Sequence, residues 1–241
     1  MTANHLEIRS GVVRPIACYQ AGWALIKDQY WLFLGVSVGG MIIAGAVPFA
    51  ILMGPMMCGE WKCLLAKSRG QKATFEMLFK GFDHFLQSLI ACLIMIVPAL
   101  LVTIPLTLLM WGTMIFSFSH GGDPGSDPGQ ALLRVLPLLV LMIGVMMILS
   151  LVLGALFLFT FPLIVDRGLG GFEAVKTSAT AVVRNLGGVL GLVFLNLLLS
   201  CLGALLCYVG AFFVMPFSFA AMLAAYRAVF DAEAPTVIPR T

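Results

Sequence analysis

Glu60 is the acidic side chain set deepest in an apolar part of this chain, close behind Gly54-Pro55 in the stretch GPMMCGEWKCLLAKSR. The helical distance from Glu60 to Arg69 is about 13 Å of rise, which puts the carboxyl well inside a membrane boundary marked by Arg69. A carboxyl there can bind a cation, carry a proton or select a substrate amine, since an intramembrane charge is costly without a partner or a use. The plainer reading pairs Glu60 with Lys62, Lys67 or another neighbour near the membrane surface. Asn196 is the second intramembrane polar candidate. An interhelical amide bond is worth around 0.6 kcal/mol and at most about 2, so Asn196 reads as structural glue. Thr103, Thr107, Ser150 and Thr160 can bond the backbone of their own helix and need no further role.

Other chemistry is sparse. His120, Asp123 and Asp127 share the segment SHGGDPGSDPGQ and resemble a metal set on paper. Two Asp-Pro-Gly turns explain both aspartates without a metal. The six cysteines (Cys18, Cys58, Cys63, Cys92, Cys201, Cys207) lack zinc-type spacing with histidine and read as small buried hydrophobes. His5, His84 and His120 are scattered over a tail, an inner segment and an outer loop. No His-Glu-x-x-His, P-loop or intramembrane aspartate pair occurs. The expectation is therefore no enzyme, no catalytic residue, no metal and no cofactor.

The elements that must position these residues are apolar. Hydrophobic residues make up 61% of the 241 and charged residues 10%, with a mean hydropathy of +1.06; soluble domains carry roughly 25% charge. Apolar blocks run over 31–66, 86–118, 131–165 and 186–230. The two central blocks each fit one helix, with Pro98, Pro105, Pro137 and Pro162 as places to bend. The outer two divide into hairpins, the first at Pro48 and Pro55, the second at Gly210 and Pro216. That predicts six crossings, at 31–47, 49–67, 87–112, 132–161, 187–207 and 211–228, with a re-entrant first hairpin and four crossings as the alternative. Charge sets the orientation. With the N-terminus inside, Arg9, Arg14, Lys27, Lys62, Lys67, Arg69, Lys72, Lys80, Arg167, Lys176, Arg184, Arg227 and Arg240 all lie on the inner side. Of the 14 basic residues only Arg134 lies outside, a strong positive-inside signal. The first thirty residues lack a cleavable-signal layout, so the first helix should serve as its own insertion signal.

Three segments, 16–30, 73–86 and 171–185, read as helices lying on the inner surface. In the second, Phe75, Leu78, Phe79, Phe82, Phe85 and Leu86 form one face, opposite Glu76, Lys80, Asp83 and Gln87; a packed elbow between spans is the equal alternative. Gly35, Gly39, Gly187, Gly191 and Gly203 would let helices approach closely. The two ends of the chain share an order of elements: inner helix, Gly-xxx-Gly helix, proline-marked break and a helix ending in aromatic and basic residues. That order suggests a parallel internal repeat.

These features give the chain a likeness. Gly54-Pro55 with Gly59, Arg69-Gly70, Leu78 through Phe82, Phe161 through Asp166, Glu173-Ala174 with Ser178 and Asn185, Gly203 through Gly210, Pro216 and Ala225-Tyr226-Arg227 carry it. Over about residues 16–230 the chain resembles a group of bacterial polytopic inner-membrane proteins of unknown function. It is similar in organisation to the membrane domain attached to some glycerophosphodiester phosphodiesterases. The resemblance implies an inner-membrane helical bundle and no particular activity.

The expected architecture is thus an all-α polytopic bundle forming one integral membrane domain, 1–230, with a short cytoplasmic tail, 231–241, and both termini cytoplasmic. The leading functional expectation is an accessory or scaffold subunit of a membrane assembly. A small-solute or ion transporter using the broken helices and Glu60, and lipid handling at the inner leaflet, are the alternatives. Expected partners are the lipid bilayer and a second copy or larger membrane complex. Nucleic acid is excluded because basic residues neither cluster on one long face nor alternate with exposed aromatics.

Overall fold

The structure is a computed structural model that describes residues 7–46, 51–120, 128–205 and 209–231. Among them the chain is all helical. The α-helices are α1 (Pro15–Ile26), α2 (Tyr30–Ala46), α3 (Met53–Ser68), α4 (Phe85–His120), α5 (Pro128–Leu156), α6 (Thr160–Arg167), α7 (Gly171–Arg184), α8 (Leu186–Leu205) and α9 (Val209–Phe230). A 3-10 helix, Phe75–His84, leads into α4.

Four stretches are long and apolar enough to cross a membrane: Phe75–Phe116, Leu136–Arg167, Leu186–Leu205 and Val209–Phe230. A fifth arises if α1 and α2, which meet at 103°, count as one broken span. The six crossings expected from sequence are therefore not reproduced as six spans. α3 has only 16 residues and carries Glu60, Lys62 and Lys67 within them, which makes it too short and too polar to span alone. The 103° corner agrees with α1 lying along a surface that α2 leaves.

The chain divides into two compact units, Met1–Cys92 with Ala155–Thr241, and Leu93–Gly154. In the first, backbones touch where glycine removes the side chain. A Cβ on Gly22 of α1 would lie 2.6 Å from the Ala221 nitrogen of α9, and one on Gly188 of α8 would lie 2.2 Å from the Val13 oxygen. The 3-10 helix crosses α3 more closely still: a Cβ on Gly59 would sit 1.9 Å from the Leu78 oxygen, and one on Gly81 would sit 2.0 Å from the Pro55 oxygen. Around these crossings pack Trp61, Leu64, Leu78, Phe159, Leu163 and Tyr226, all nearly or fully buried.

Hydrogen bonds from polar side chains fix the joints. Asn185, at the α7–α8 corner, accepts from the Val12 N–H at 3.1 Å and donates to the Arg9 and Ala181 carbonyls at 2.8 and 3.0 Å. That amide holds the N-terminal segment against the bundle. Ser178 spans the break between α5 and α6, accepting from the Phe159 N–H and donating to the Leu156 carbonyl. α3 ends in a Schellman motif: Gly70 has φ +78°, its N–H meets the Lys67 carbonyl, and the Gln71 N–H meets the Ala66 carbonyl, both at 3.0 Å. Gly168, at φ +64°, ends α6 in the same left-handed conformation.

The second unit holds most of α4 and α5. Thr103 and Thr107 donate to the carbonyls four residues earlier, at 2.7 and 2.8 Å, so both hydroxyls are used on their own helix. Leu100, Leu101, Ile104, Leu108 and Ile115 on α4, and Val140, Leu141 and Ile148 on α5, are exposed.

Several expected breaks fall elsewhere. Pro216 lies inside α9, which runs through it, and is buried there. A proline frees a single backbone hydrogen bond, and the packing of Ala220, Ala221 and Leu223 on the following turns holds the helix together. Pro55 and Gly210 occupy the first turns of α3 and α9, where unpaired N–H groups make proline and glycine tolerable. Pro48 lies outside the described residues. In segment 73–86 the amphipathic face is turned: Leu78 and Gly81 are buried against α3, while Phe75, Phe79, Phe82 and Phe85 are exposed.

Candidate functional site

Glu60 is 6% exposed and accepts a hydrogen bond from the Ser37 hydroxyl of α2. The lysines that sequence offered as partners are engaged elsewhere. Lys62 pairs with Asp83 at 2.7 Å and also donates to the Lys80 carbonyl. Lys67 pairs with Asp28 at the α1–α2 corner, and its ammonium holds the Asp28 carboxyl below the usual aspartate range. Among the described residues no cation lies within ion-pair distance of Glu60. The carboxyl is held by a neutral hydroxyl between two packed helices.

Asn196 accepts a hydrogen bond from the Tyr19 hydroxyl at 3.2 Å, linking α8 to α1. Tyr19 in turn packs on Phe217 of α9. The predicted packing glycines divide into two groups. A Cβ on Gly203 would meet Gly210 and Ala211 backbone at 2.9 Å, one on Gly191 would meet Pro15 at 2.7 Å, and one on Gly39 would meet the Phe75 ring at 3.1 Å. Gly35 and Gly187 have nothing within 4 Å. The tightest crossings use Gly22, Gly59, Gly81, Gly171 and Gly188, which a Gly-xxx-Gly search does not reach.

Among the described residues no group of three His, Cys, Asp or Glu side chains is placed to hold a metal. Asp123 and Asp127 lie outside the described residues, as does the side chain of His120. The tail is described only at Asp231.

Sequence reasoning missed a polar cluster where α3, α6 and α9 end together. Asp166, nearly buried, receives the Arg69 guanidinium, Arg167 Nε at 3.2 Å and the Tyr226 hydroxyl at 2.7 Å. Asp231 receives Arg167 Nη2 at 2.8 Å and Arg227 Nε at 3.3 Å. Two arginines also cap helix ends, Arg227 Nη1 on the Ser68 carbonyl and Arg167 Nη2 on the Phe230 carbonyl, at 3.3 and 3.2 Å. The rings of Phe159, Tyr226 and Phe230 pack together beside the cluster, with centroids 5.1–6.3 Å apart. Leu65, Ser68, Arg69, Asp166, Arg167, Arg227 and Asp231 line a half-open cavity of about 290 Å³. The sequence did hold a signal: Arg69, Asp166-Arg167 and Tyr226-Arg227 each close an apolar block at the same expected level. Nothing linear says that the three ends converge.

No protein-family model matches this chain, and no curated protein or solved structure matches it. Function therefore rests on the geometry.

Proposed function

We propose that this chain is a multi-pass inner-membrane protein that acts without chemistry of its own, as an accessory or scaffold subunit of a membrane assembly. The observation that carries the reading is the bareness of its central helices. The most apolar stretch of Leu136–Arg167 has none of its residues buried, and that of Phe75–Phe116 has 11%, against 44% in Val209–Phe230. Lipid covers any apolar helix, but small residues with open faces suit another helix better. Gly112, Gly144 and Gly154 have nothing within 4 Å. Met110, Met114, Met142, Met146 and Met147 add adaptable surface beside them.

The topology that goes with this reading has four full crossings, α4, α5–α6, α8 and α9, with both termini cytoplasmic. α2 and α3 enter and leave from the inner side as a re-entrant pair. The Lys62–Asp83 pair midway along α3 supports that depth, and the 13-to-1 division of basic residues supports the orientation. Gentle extraction from the native membrane, followed by mass measurement and identification of co-purifying chains, tests the function. A fixed stoichiometric partner chain supports it; a bare monomer or homo-oligomer in native membranes refutes it and moves the weight to transport or lipid handling.

A second reading, ion- or proton-coupled transport, is favoured by Glu60, a buried carboxyl whose neighbouring lysines are paired elsewhere. Loss of flux in proteoliposomes carrying Glu60→Gln, with the fold intact, would support it. Full flux in that variant removes Glu60 from any transport mechanism.

A further inference from the structure

We propose that the cavity among Ser68, Arg69, Asp166, Arg167, Arg227 and Asp231 is a binding site for a phosphate oxyanion, supplied by a lipid head group or as inorganic phosphate. The site is independent of whether the chain has protein partners.

Charge is the first argument. Three guanidinium groups face two carboxylates, so the lining carries one net positive charge, and a phosphodiester carries one negative charge. The three helix C-termini that meet here would normally disfavour an anion. Two of them are already answered, because Arg227 takes the Ser68 carbonyl of α3 and Arg167 takes the Phe230 carbonyl of α9.

Donor supply is the second. Each guanidinium offers five N–H groups in a planar fork, the geometry that grips phosphate in bidentate fashion. Arg69 engages Asp166 through Nη2 and its side chain is 59% exposed; Arg227 engages its partners through Nε and Nη1. More donors line the cavity than the two aspartates and two carbonyls take up.

Size and depth complete the case. At about 290 Å³ the cavity lies near the lower end of small-molecule sites, roughly 300 Å³, which suits one phosphate group with a few waters. It also lies where two membrane-compatible stretches end, Leu136–Arg167 and Val209–Phe230, which is head-group depth.

The test is thermal unfolding of the full chain in neutral detergent, with phosphatidylglycerol, with inorganic phosphate, or with sodium chloride at matched ionic strength. A ligand that binds only the folded state raises the midpoint. The expected result is a rise over the chloride control in wild type. Arg69→Gln should lose it, with at least a tenfold drop in apparent affinity, whereas Lys72→Gln, at an exposed site outside the cavity, should keep it. A rise with the lipid alone identifies a head-group site, a rise with phosphate alone identifies a free-phosphate site, and both together identify a site for either. Asp166 keeps Arg167 and Tyr226 when Arg69 is replaced, so the variant should fold; if it does not, Arg69→Lys, which keeps the charge and loses the fork, decides with the same tenfold criterion. No rise with either ligand overturns the proposal and leaves a purely structural ion network. Equal loss in Lys72→Gln also overturns it, because diffuse surface charge would then explain the effect.

Discussion

Gly59→Ala, set against Gly35→Ala, is the sharpest test of the packing. Both glycines lie within helices, α3 and α2, and the same methyl is added to each. At Gly59 the new Cβ would lie 1.9 Å from the Leu78 oxygen and 2.7 Å from its carbonyl carbon. Ordinary contact begins near 3.4 Å, so the 3-10 helix must move away from α3 by more than an ångström. Leu78 is fully buried and Gly81 is clamped on Pro55 and Gly59 backbone in the same crossing, so no flexible side chain can give way. Overpacking of this kind costs about 1–3 kcal/mol and sometimes more, and a backbone obstacle belongs at the upper end. Alanine regains up to about 1 kcal/mol of helix propensity over glycine, leaving a net loss of roughly 2 kcal/mol. For a chain of this length that corresponds to a midpoint lower by about 4–8 °C. Gly35 has nothing within 4 Å, so only the propensity gain remains, and its variant should unfold at or up to a few degrees above wild type. Thermal unfolding in one detergent, followed by intrinsic tryptophan fluorescence, compares the three proteins. Wild-type stability in Gly59→Ala, or a larger loss in Gly35→Ala, would refute the close crossing of the 3-10 helix on α3.

Asn185→Ala should cost about 1–3 kcal/mol, because the part-buried Val12 N–H and Arg9 carbonyl each lose a hydrogen bond worth about 0.5–1.5 kcal/mol net; limited proteolysis near residues 9–14 should speed up with it. Tyr226→Phe removes a fully buried hydroxyl from Asp166 and should lower stability by about 1.5–3 kcal/mol, the usual worth of a hydrogen bond to a charged group, read by unfolding midpoint. Ser37→Ala strands the Glu60 carboxyl and should destabilise more than Glu60→Gln, whose amide can still accept the Ser37 hydroxyl; the reverse order of midpoints would contradict the pair. Lys67 depresses the Asp28 carboxyl, so that pair's contribution is fully present at neutral pH and fades as the pH falls below about 5, towards and through the unfolded aspartate value near 4. The midpoint difference between wild type and Asp28→Asn should accordingly be constant from pH 8 to 5 and shrink below that.

How far the linear chain reveals this architecture depends on the kind of information each element needs. α4, α5, α8 and α9 are legible because hydropathy is a local sum, and α1 and α7 because a charge or a glycine marks where each begins and ends. α3 looks like a span by hydropathy but has only 16 residues: Cys58, Trp61, Cys63, Leu64 and Leu65 are buried among neighbouring helices, and hydropathy cannot tell that from burial in lipid. The glycines show the same limit in reverse. Gly35-xxx-Gly39 has the spacing of a helix–helix contact, yet Gly35 is open, whereas Gly59 and Gly81 meet across a 3-10 crossing that no fixed spacing encodes. Glu60 stands out in the sequence by its burial cost, but its partner is the Ser37 hydroxyl of α2, not a nearby lysine. Lys62 and Lys67 lie close in sequence and point to Asp83 and Asp28, which the 3-10 helix and the α1–α2 corner bring to them. The arginine cavity is hidden in the linear chain for the same reason. Arg69, Arg167 and Arg227 each look like one more charge marking the inner side, and a charge used only to count orientation carries no address. What makes them a site is that α3, α6 and α9 end at a single point, around the nearly buried Asp166. An aspartate at the foot of a membrane helix, among residues that otherwise follow the positive-inside pattern, is the one linear sign that the arginines near it have something to hold.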